Sequence, residues 1–267
     1  MTQNSIIDED NETLHKDPKD HSFNMYVDLM ARCLIDLIYG KQRPIVRRGE
    51  KVKFNEKARV QGREWPVVGH SMAGLKRLHN VAYLTDRVIK ENVPGDLIET
   101  GVWRGGASAM IRGVLKARGV TDRKIYLADS FEGLPPPNDA EFPSDKGSKY
   151  HTRGRLAVGV EYVKQTFEAY GLLDDQLEFV VGWFKDTLHK LDVPTFSLLR
   201  LDGDMYESTI QAMEALYPKL SAGGFIIVDD YGSIKACREA IDDYRDKHSI
   251  SDQIYKIDHS GVWWQKS

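Results

Sequence analysis

Asp96-Leu-Ile-Glu-Thr-Gly-Val-Trp-Arg-Gly-Gly-Ala-Ser108 is the stretch that decides how this chain folds. Asp96–Thr100 reads as a short strand, and Gly105–Arg118 as the helix that follows it. The glycines between them let the backbone turn sharply and approach a ligand closely, and the new helix offers free N–H groups. The spacing is E-x-G-x-x-x-G, not G-x-G-x-x-G, which argues against a nicotinamide or flavin site. Glycines also serve plain strand-to-helix turns, so the loop needs support from its neighbours.

Downstream, short apolar runs alternate with amphipathic stretches. Lys124–Asp129, Leu177–Val181, Phe196–Asp202 and Gly224–Asp229 are expected strands. Helical patterns cover Glu161–Tyr170, Phe184–Leu191, Glu207–Leu220 and Ile234–Lys247. Strands of this length separated by helices imply a parallel sheet covered on both faces. Gln253–Asp258 and Val262–Gln265 differ, because His259-Ser260-Gly261 is too short to join anything but antiparallel strands. An α/β fold with a mostly parallel seven-stranded sheet ending in an antiparallel hairpin is the pattern of the class I S-adenosylmethionine methyltransferases.

Upstream, residues 22–94 read as a helical lid on a 95–267 core. Tyr26–Tyr39 and Leu75–Lys90 carry apolar residues at helical spacing. Gly40–Arg63 is rich in Lys and Arg, but Glu50, Glu56 and Glu64 dilute the charge, and the expectation is a solvated, mobile loop. Residues 1–21 form a polar, acidic tail expected to be poorly ordered. The net charge of -3 gives no field favouring nucleic acid or an anionic membrane. Cys33 and Cys237 are the only cysteines, without metal spacing, which fits a reducing cytoplasm. No apolar run approaches the roughly 20 residues that span a bilayer.

The chemistry gathers at the strand ends. Asp129 closes the second strand, where an acid can accept both hydroxyls of a ribose. It could equally cap a turn. Gly182-Trp183 closes the third, where an adenine could pack on the indole, although a core contact explains Trp183 as well. The fourth ends Arg200-Leu-Asp202-Gly-Asp204, and the fifth ends Asp229-Asp230-Tyr231. Adjacent strands would bring these acids within roughly 5 Å. Like charges so close repel unless protonated or bridged by a cation, and an all-oxygen donor set suits Mg²⁺. Capping of the following helices explains one acid per helix, not a pair on each. The proposed roles are Asp202, Asp229 and Asp230 on the metal and Asp204 as general base.

These motifs resemble the macrocin O-methyltransferase family, which methylates sugar hydroxyls of glycosylated antibiotics of the tylosin, mycinamicin and novobiocin types. The likeness runs from residue 26 to the C-terminus. It is carried by His70-Ser-Met-Ala-Gly-Leu-Lys-Arg-Leu78, Val93–Ala107, Ala128-Asp-Ser-Phe-Glu-Gly-Leu-Pro135, Asp202-Gly-Asp204-Met-Tyr206 and Asp229-Asp230-Tyr231. The resemblance implies cofactor contacts from Glu99, Asp129, Ser130 and Ser71-Met72, the same metal ligands, and homo-oligomers with N-terminal elements closing over the site. Ser71 stands where the family usually has Thr, which keeps the hydroxyl. The full expected cofactor set is Glu99, Gly101, Gly105, Ser108, Asp129, Ser130, Gly182, Trp183, Ser71, Met72 and Asp202, with Asp204 and Asp202 catalytic. The nearest rival is a catechol- or phenol-type methyltransferase with the same fold and metal. A non-catalytic scaffold would be expected to have lost some of the acids. The acceptor is expected to be read by the lid and by the Pro135–Val158 loop.

Overall fold

The computed structural model describes residues 6–8, 18–42, 45–47 and 50–267. Its central sheet is built from β4 (Asp96–Thr100), β5 (Ile125–Asp129), β6 (Leu177–Val181), β7 (Phe196–Leu201), β8 (Leu220–Val228), β9 (Tyr255–Lys256) and β10 (Val262–Gln265). The spatial order is β9-β10-β8-β7-β4-β5-β6, with β10 antiparallel to both neighbours and the rest parallel. The chain leaves β4 in one direction, through β5 and β6, then returns to its other side with β7. Ligands of open α/β sheets bind at such a reversal, beyond the carboxyl ends of the strands.

Consecutive residues of a strand face opposite sides of the sheet, and both sides here are apolar. Leu97, Leu127, Leu198, Phe225 and Trp263 face α1 (His21–Leu34), α3 (Gly74–Lys90), α4 (Gly106–Ala117) and α5 (Val160–Ala169). Ile98, Ala128, Leu199, Ile226 and Trp264 face α6 (Phe184–Thr187), α7 (Tyr206–Leu216) and α8 (Lys235–Lys247). That double burial is why β7 reads as a continuous apolar run broken only by Ser197 and Arg200.

The N-terminal segment shares this core. α1 buries Phe23, Val27, Met30, Ala31 and Leu34, a helical stripe laid against α3 and α4. The helix starts five residues before the expected Tyr26 and ends at Leu34, after which Asp36 turns the chain at φ 55°. Gly113 of α4 permits the close approach, since a Cβ there would meet Met30 Sδ at 2.6 Å.

Two expectations need correction. The acidic tail is anchored in part: β1 (Ile7–Asp8) adds an eighth strand parallel to β9, and Asp20 is buried between Lys90 and Arg118, each 2.7 Å away. Within Gly40–Arg63, β2 (Ile45–Arg47) pairs antiparallel with β3 (Glu50–Val52), followed by α2 (Glu56–Val60). Arg59 of α2 is buried, donates to the Ile35 carbonyl at 2.8 Å and lies 3.5 Å from Glu64, so part of the basic composition is internal. Among the described residues no helix is long and apolar enough to cross a membrane.

The hydrogen bond from Lys90 holds the Asp20 carboxyl down at about 2, against the penalty of burial and with help from Arg118. An unfolded aspartate titrates near 3.9, so this stabilisation is complete above about pH 4 and vanishes as pH falls through the folded value. Asp20→Asn is expected to lower the melting temperature at pH 7 by about 2–6 °C, with the gap to wild type closing near pH 2. Thermal unfolding followed by circular dichroism across that range checks it; a gap independent of pH would contradict the assignment.

Candidate active site

A ladder of backbone bonds aligns the strand tips. Gly182 donates to Asp129, Gly101 to Ala128, Asp202 to Thr100 and Asp229 to Leu201, each at 2.9 Å. The loops after β6, β5, β4, β7 and β8 therefore leave the sheet side by side. Gly101 (φ 84°) packs so tightly on the β7 tip that a Cβ would overlap the Asp202 carbonyl oxygen, and Gly105 (φ 83°) starts α4 in the left-handed region. Three non-glycine residues at this edge share positive φ: Trp103 at 49°, Phe131 at 57° and Asp204 at 61°. Such conformations cost about 1–3 kcal/mol each and persist only where the surroundings over-determine them.

Side chains fix the loops. Glu99, fully buried, accepts from both the N–H and the hydroxyl of Ser108, tying the strand to the first turn of α4. Burial pushes its carboxyl up to about 7 even though Arg200 and Ser108 oppose the shift. Asp129 accepts from the N–H groups of Val102 at 2.7 Å and Trp103 at 3.3 Å with one oxygen, and from Phe131 N–H at 2.8 Å with the other. Ser130 Oγ donates to the Gly133 carbonyl at 2.7 Å and accepts from Glu132 N–H. Gly106 N–H donates to the His70 carbonyl at 3.0 Å, which lays Ser71-Met72 across the glycine loop.

The acids gather beside these loops. Asp202, Asp229 and Asp230 each present an oxygen within 4.8 Å of the others. Arg200, buried at 2 % exposure, forks among them: one nitrogen reaches Glu99 at 2.5 Å and Asp202 at 2.9 Å, the other Asp229 at 2.5 Å. Arg77 of α3 pairs with the second oxygen of Asp229 and with Asp258 at 3.2 Å. Burial pushes Asp229 up, but Arg77 and Arg200 outweigh it and hold that carboxyl below its ordinary range. Asp202 is raised by burial and by the charge of Asp229. Asp230 is raised well above its ordinary range, by burial and then by Asp204, Asp202 and Asp229. Asp204 rises to about 8 through burial and repulsion from Asp202 and Asp229, with Arg153 opposing. Asp230 Oδ2 is buried without a hydrogen-bond partner. Neither α7 nor α8 is capped by these acids, since Met205 and Ile234 precede them with no side-chain cap.

Two cavities meet here. One, of about 410 Å³, is lined by Asp129, Ser130, Trp183, Phe184 and the Leu134–Pro136 turn. The other, of about 260 Å³, holds Ser71, Glu99, Asp229, Asp230, Tyr150, Arg153 and His259. Met72, Gly101, Trp103, Leu156, Asp202 and Asp204 line both. At the rim Trp65 and Trp103 sit 6.1 Å apart, Arg155 stacks 3.7 Å over Trp65, and Trp103 Nε1 donates to the Arg155 carbonyl at 3.0 Å.

Comparison with known proteins adds to this geometry. Residues 11–266 match the family described as macrocin-O-methyltransferase (TylF). The chain belongs to the macrocin O-methyltransferase family. It is 49% identical over 243 residues to the 8-demethyl-8-(2,3-dimethoxy-alpha-L-rhamnosyl)-tetracenomycin-C 4'-O-methyltransferase of Streptomyces olivaceus, covering 91% of this chain and 92% of that protein. It is 43% identical to the mycinamicin III 3''-O-methyltransferase of Micromonospora griseorubida, over 91% of this chain and 96% of that one. The solved structure of the O-methyltransferase NovP superposes with a TM-score of 0.86 at 44% identity, over 91% of this chain and 98% of the other. This member of the macrocin O-methyltransferase family is thus an O-methyltransferase with the class I fold.

Of the expected site residues, Met72, Gly101, Asp202 and Asp204 line both cavities, Asp129, Ser130 and Trp183 the larger, and Ser71, Glu99, Asp229 and Asp230 the smaller, while Gly105, Ser108 and Gly182 line neither. The sequence reading missed Arg77 and Arg200, the cations that make the acid cluster tolerable. Arg200 carried a signal, being one charge inside an otherwise apolar strand; Arg77, on a helix 123 residues earlier, lies in the His70–Leu78 segment that carries the family resemblance, but no spacing tied it to the acids. The Gly101 contact gives a test. Gly101→Ala is expected to cost about 3 kcal/mol or more, from strained φ plus overlap with β7. Chemical denaturation measures it, and a loss under about 1 kcal/mol would contradict the packing described.

Proposed function

We propose that this enzyme moves the methyl group of S-adenosylmethionine onto a hydroxyl of a sugar carried by a glycosylated natural product, with Mg²⁺ at Asp202, Asp229 and Asp230. The observation that carries the reading is the placement of the acid cluster at the junction of two cavities, with Asp202 and Asp204 lining both. Two relatives are named for methylating defined positions of glycosides, which supports a sugar hydroxyl as acceptor.

The larger cavity suits the nucleoside. Asp129, oriented by three backbone N–H groups, keeps lone pairs for ribose hydroxyls, and Ser130 stands beside it. Trp183 offers an aromatic face for adenine. Glu99, Gly101, Gly105 and Ser108 shape the loop, with Gly101 and Glu99 on the wall of the smaller cavity beside Ser71 and Met72. Three carboxylates with converging oxygens, one of them buried and unpartnered, fit a hard divalent cation. Bound there, Mg²⁺ would supply the positive charge that relieves repulsion among the acids and eases ionisation of the acceptor hydroxyl.

The chain's own residues do the rest. The smaller cavity holds the acceptor sugar between Tyr150, Arg153 and the acids, in line with the methyl. Asp204 takes the hydroxyl proton. It lines both cavities beside Asp202, where the acceptor hydroxyl would meet the methyl group, as a general base must. Holding both partners in line supplies much of the remaining rate.

Asp204→Asn is expected to lower kcat by roughly 10²–10⁴-fold with the KM for S-adenosylmethionine little changed. Asp230→Asn should reduce turnover at least about 100-fold and remove the Mg²⁺ dependence, while calorimetric binding of S-adenosylhomocysteine survives. Assays would use the two acceptors for which those relatives are named, plus a catechol. Full activity of Asp230→Asn in chelator would sink the metal assignment, and methylation of the catechol alone would transfer the enzyme to the phenol-type class.

A further inference from the structure

We propose that Asp145, in the middle of the Pro135–Val158 loop, is a positioning residue that holds Asp204 and the acceptor wall together as one body. The inference rests on the reading of Asp204 as the base.

α7 begins immediately after the acid loop, at Tyr206. A helix start leaves its first N–H groups without partners, and the preceding residue commonly supplies an acceptor. Met205 has none. The acceptor comes instead from a loop 61 residues earlier. Asp145 Oδ1 accepts from Tyr206 N–H at 2.7 Å, and Oδ2 accepts from Glu207 N–H at 2.9 Å. The carboxylate is 2 % exposed, so the helix terminus compensates a charge withdrawn from water.

The location matters more than the cap. Gly203, Asp204 and Met205 form a three-residue turn, with Met205 N–H donating to the Gly203 carbonyl at 2.6 Å and Asp204 at its centre at φ 61°. Turns of this hand are rare and strained, and they persist only when both flanks are held. The upstream flank is held by the bond from Asp202 N–H to the Thr100 carbonyl. The downstream flank is held by Asp145. Two further contacts join the same segments: the Phe142 and Tyr206 rings lie 6.0 Å apart, and Ser148 Oγ is 3.7 Å from Met205 Sδ. Beyond this anchor the loop delivers Tyr150 and Arg153 to the cavity that Asp204 lines. Base and acceptor wall thus hang from one carboxylate.

Asp145→Asn retains the size of the side chain but leaves one helix N–H facing an amide. Hydrogen exchange of the Tyr206 and Glu207 amides is expected to accelerate by about tenfold or more, as for a lost cap. The dissociation constant of S-adenosylhomocysteine should stay within about threefold, since the bonds that fix Glu99, Asp129 and Ser130 do not involve Asp145. On the glycoside acceptor found among those above, kcat should fall by roughly 10–100-fold at unchanged KM for S-adenosylmethionine. Unchanged exchange at Tyr206 and Glu207 overturns the anchor whatever the turnover. Faster exchange with kcat within about twofold of wild type reduces Asp145 to a plain helix cap and overturns the positioning role. If Asp145→Asn does not fold, exchange in the wild-type enzyme decides: Asp145–Ser148 and Met205–Glu207 should open with one common rate, and separate rates overturn the proposal. Full activity of Asp204→Asn would instead remove the functional reading, leaving the exchange result to stand for the anchor alone.

Discussion

Arg200 lies inside a strand buried on both faces, and its guanidinium is shared by Glu99, Asp202 and Asp229. Most of the site depends on this one cation. It holds Glu99 where Ser108 can cap the glycine loop, and it lets two acidic strand tips stand side by side. Removing one partner of a buried ion pair typically costs about 3–5 kcal/mol, and here three carboxylates would lose a counter-charge together. Arg77 completes the arrangement from the other side of Asp229. The arginines absorb the charge of Asp229 and part of that of Asp202, while Asp230 and Asp204 are opposed only by the weaker influence of Arg77 and Arg153 and hold their protons more tightly. The imbalance is directional. It sets the two least compensated carboxyls toward the smaller cavity.

The framing loops follow the same logic of mutual restraint. Trp103, Phe131 and Asp204 each hold a positive φ just beyond a strand; Asp129 holds Trp103 from the neighbouring strand and Phe131 from two residues before it, and Asp145 holds the residues just after Asp204. Asp129 binds the N–H groups of Trp103 and Phe131 at once, so the turns after β4 and β5 are set by one carboxylate. A side chain that orders two loops is also a side chain whose remaining lone pairs point in a fixed direction. Turn-capping and the ligand-binding proposed for Asp129 are therefore compatible in one carboxylate.

The fold was legible because its signals are local and periodic. β4 and β6 fall on Asp96–Thr100 and Leu177–Val181 as read from their apolar runs, and the three-residue gap at His259–Gly261 forces the hairpin. The acid pairs were legible because each closes a strand, so adjacency in the sheet was enough to bring them together. Three features were not legible. Arg77 reaches the acids from α3, and Asp145 reaches α7 from a loop without regular elements beyond short 3₁₀ turns; such contacts depend on tertiary placement that no spacing encodes. The 40–63 stretch misled for a different reason. Its lysines and arginines were counted as a surface property, whereas Arg59 is internal, paired with Glu64 and the Ile35 carbonyl. Composition cannot separate a buried cation from a solvated one.

One consequence concerns how members of this family could exchange parts. α4 is a 12-residue rod, about 18 Å long. Its first turn is fastened to Glu99 through Ser108. Just beyond its far end, Arg118 is fastened to Asp20 and Asp86. The N-terminal segment therefore grips the opposite end of the element whose start frames the glycine loop. A chimaera that grafts a foreign N-terminal segment onto this core inherits that grip only if it also brings acids matching Arg118. Recombination in this architecture is constrained by a charge pairing remote from both cavities, and the natural crossover lies before Asp20 or after Arg118, not between them.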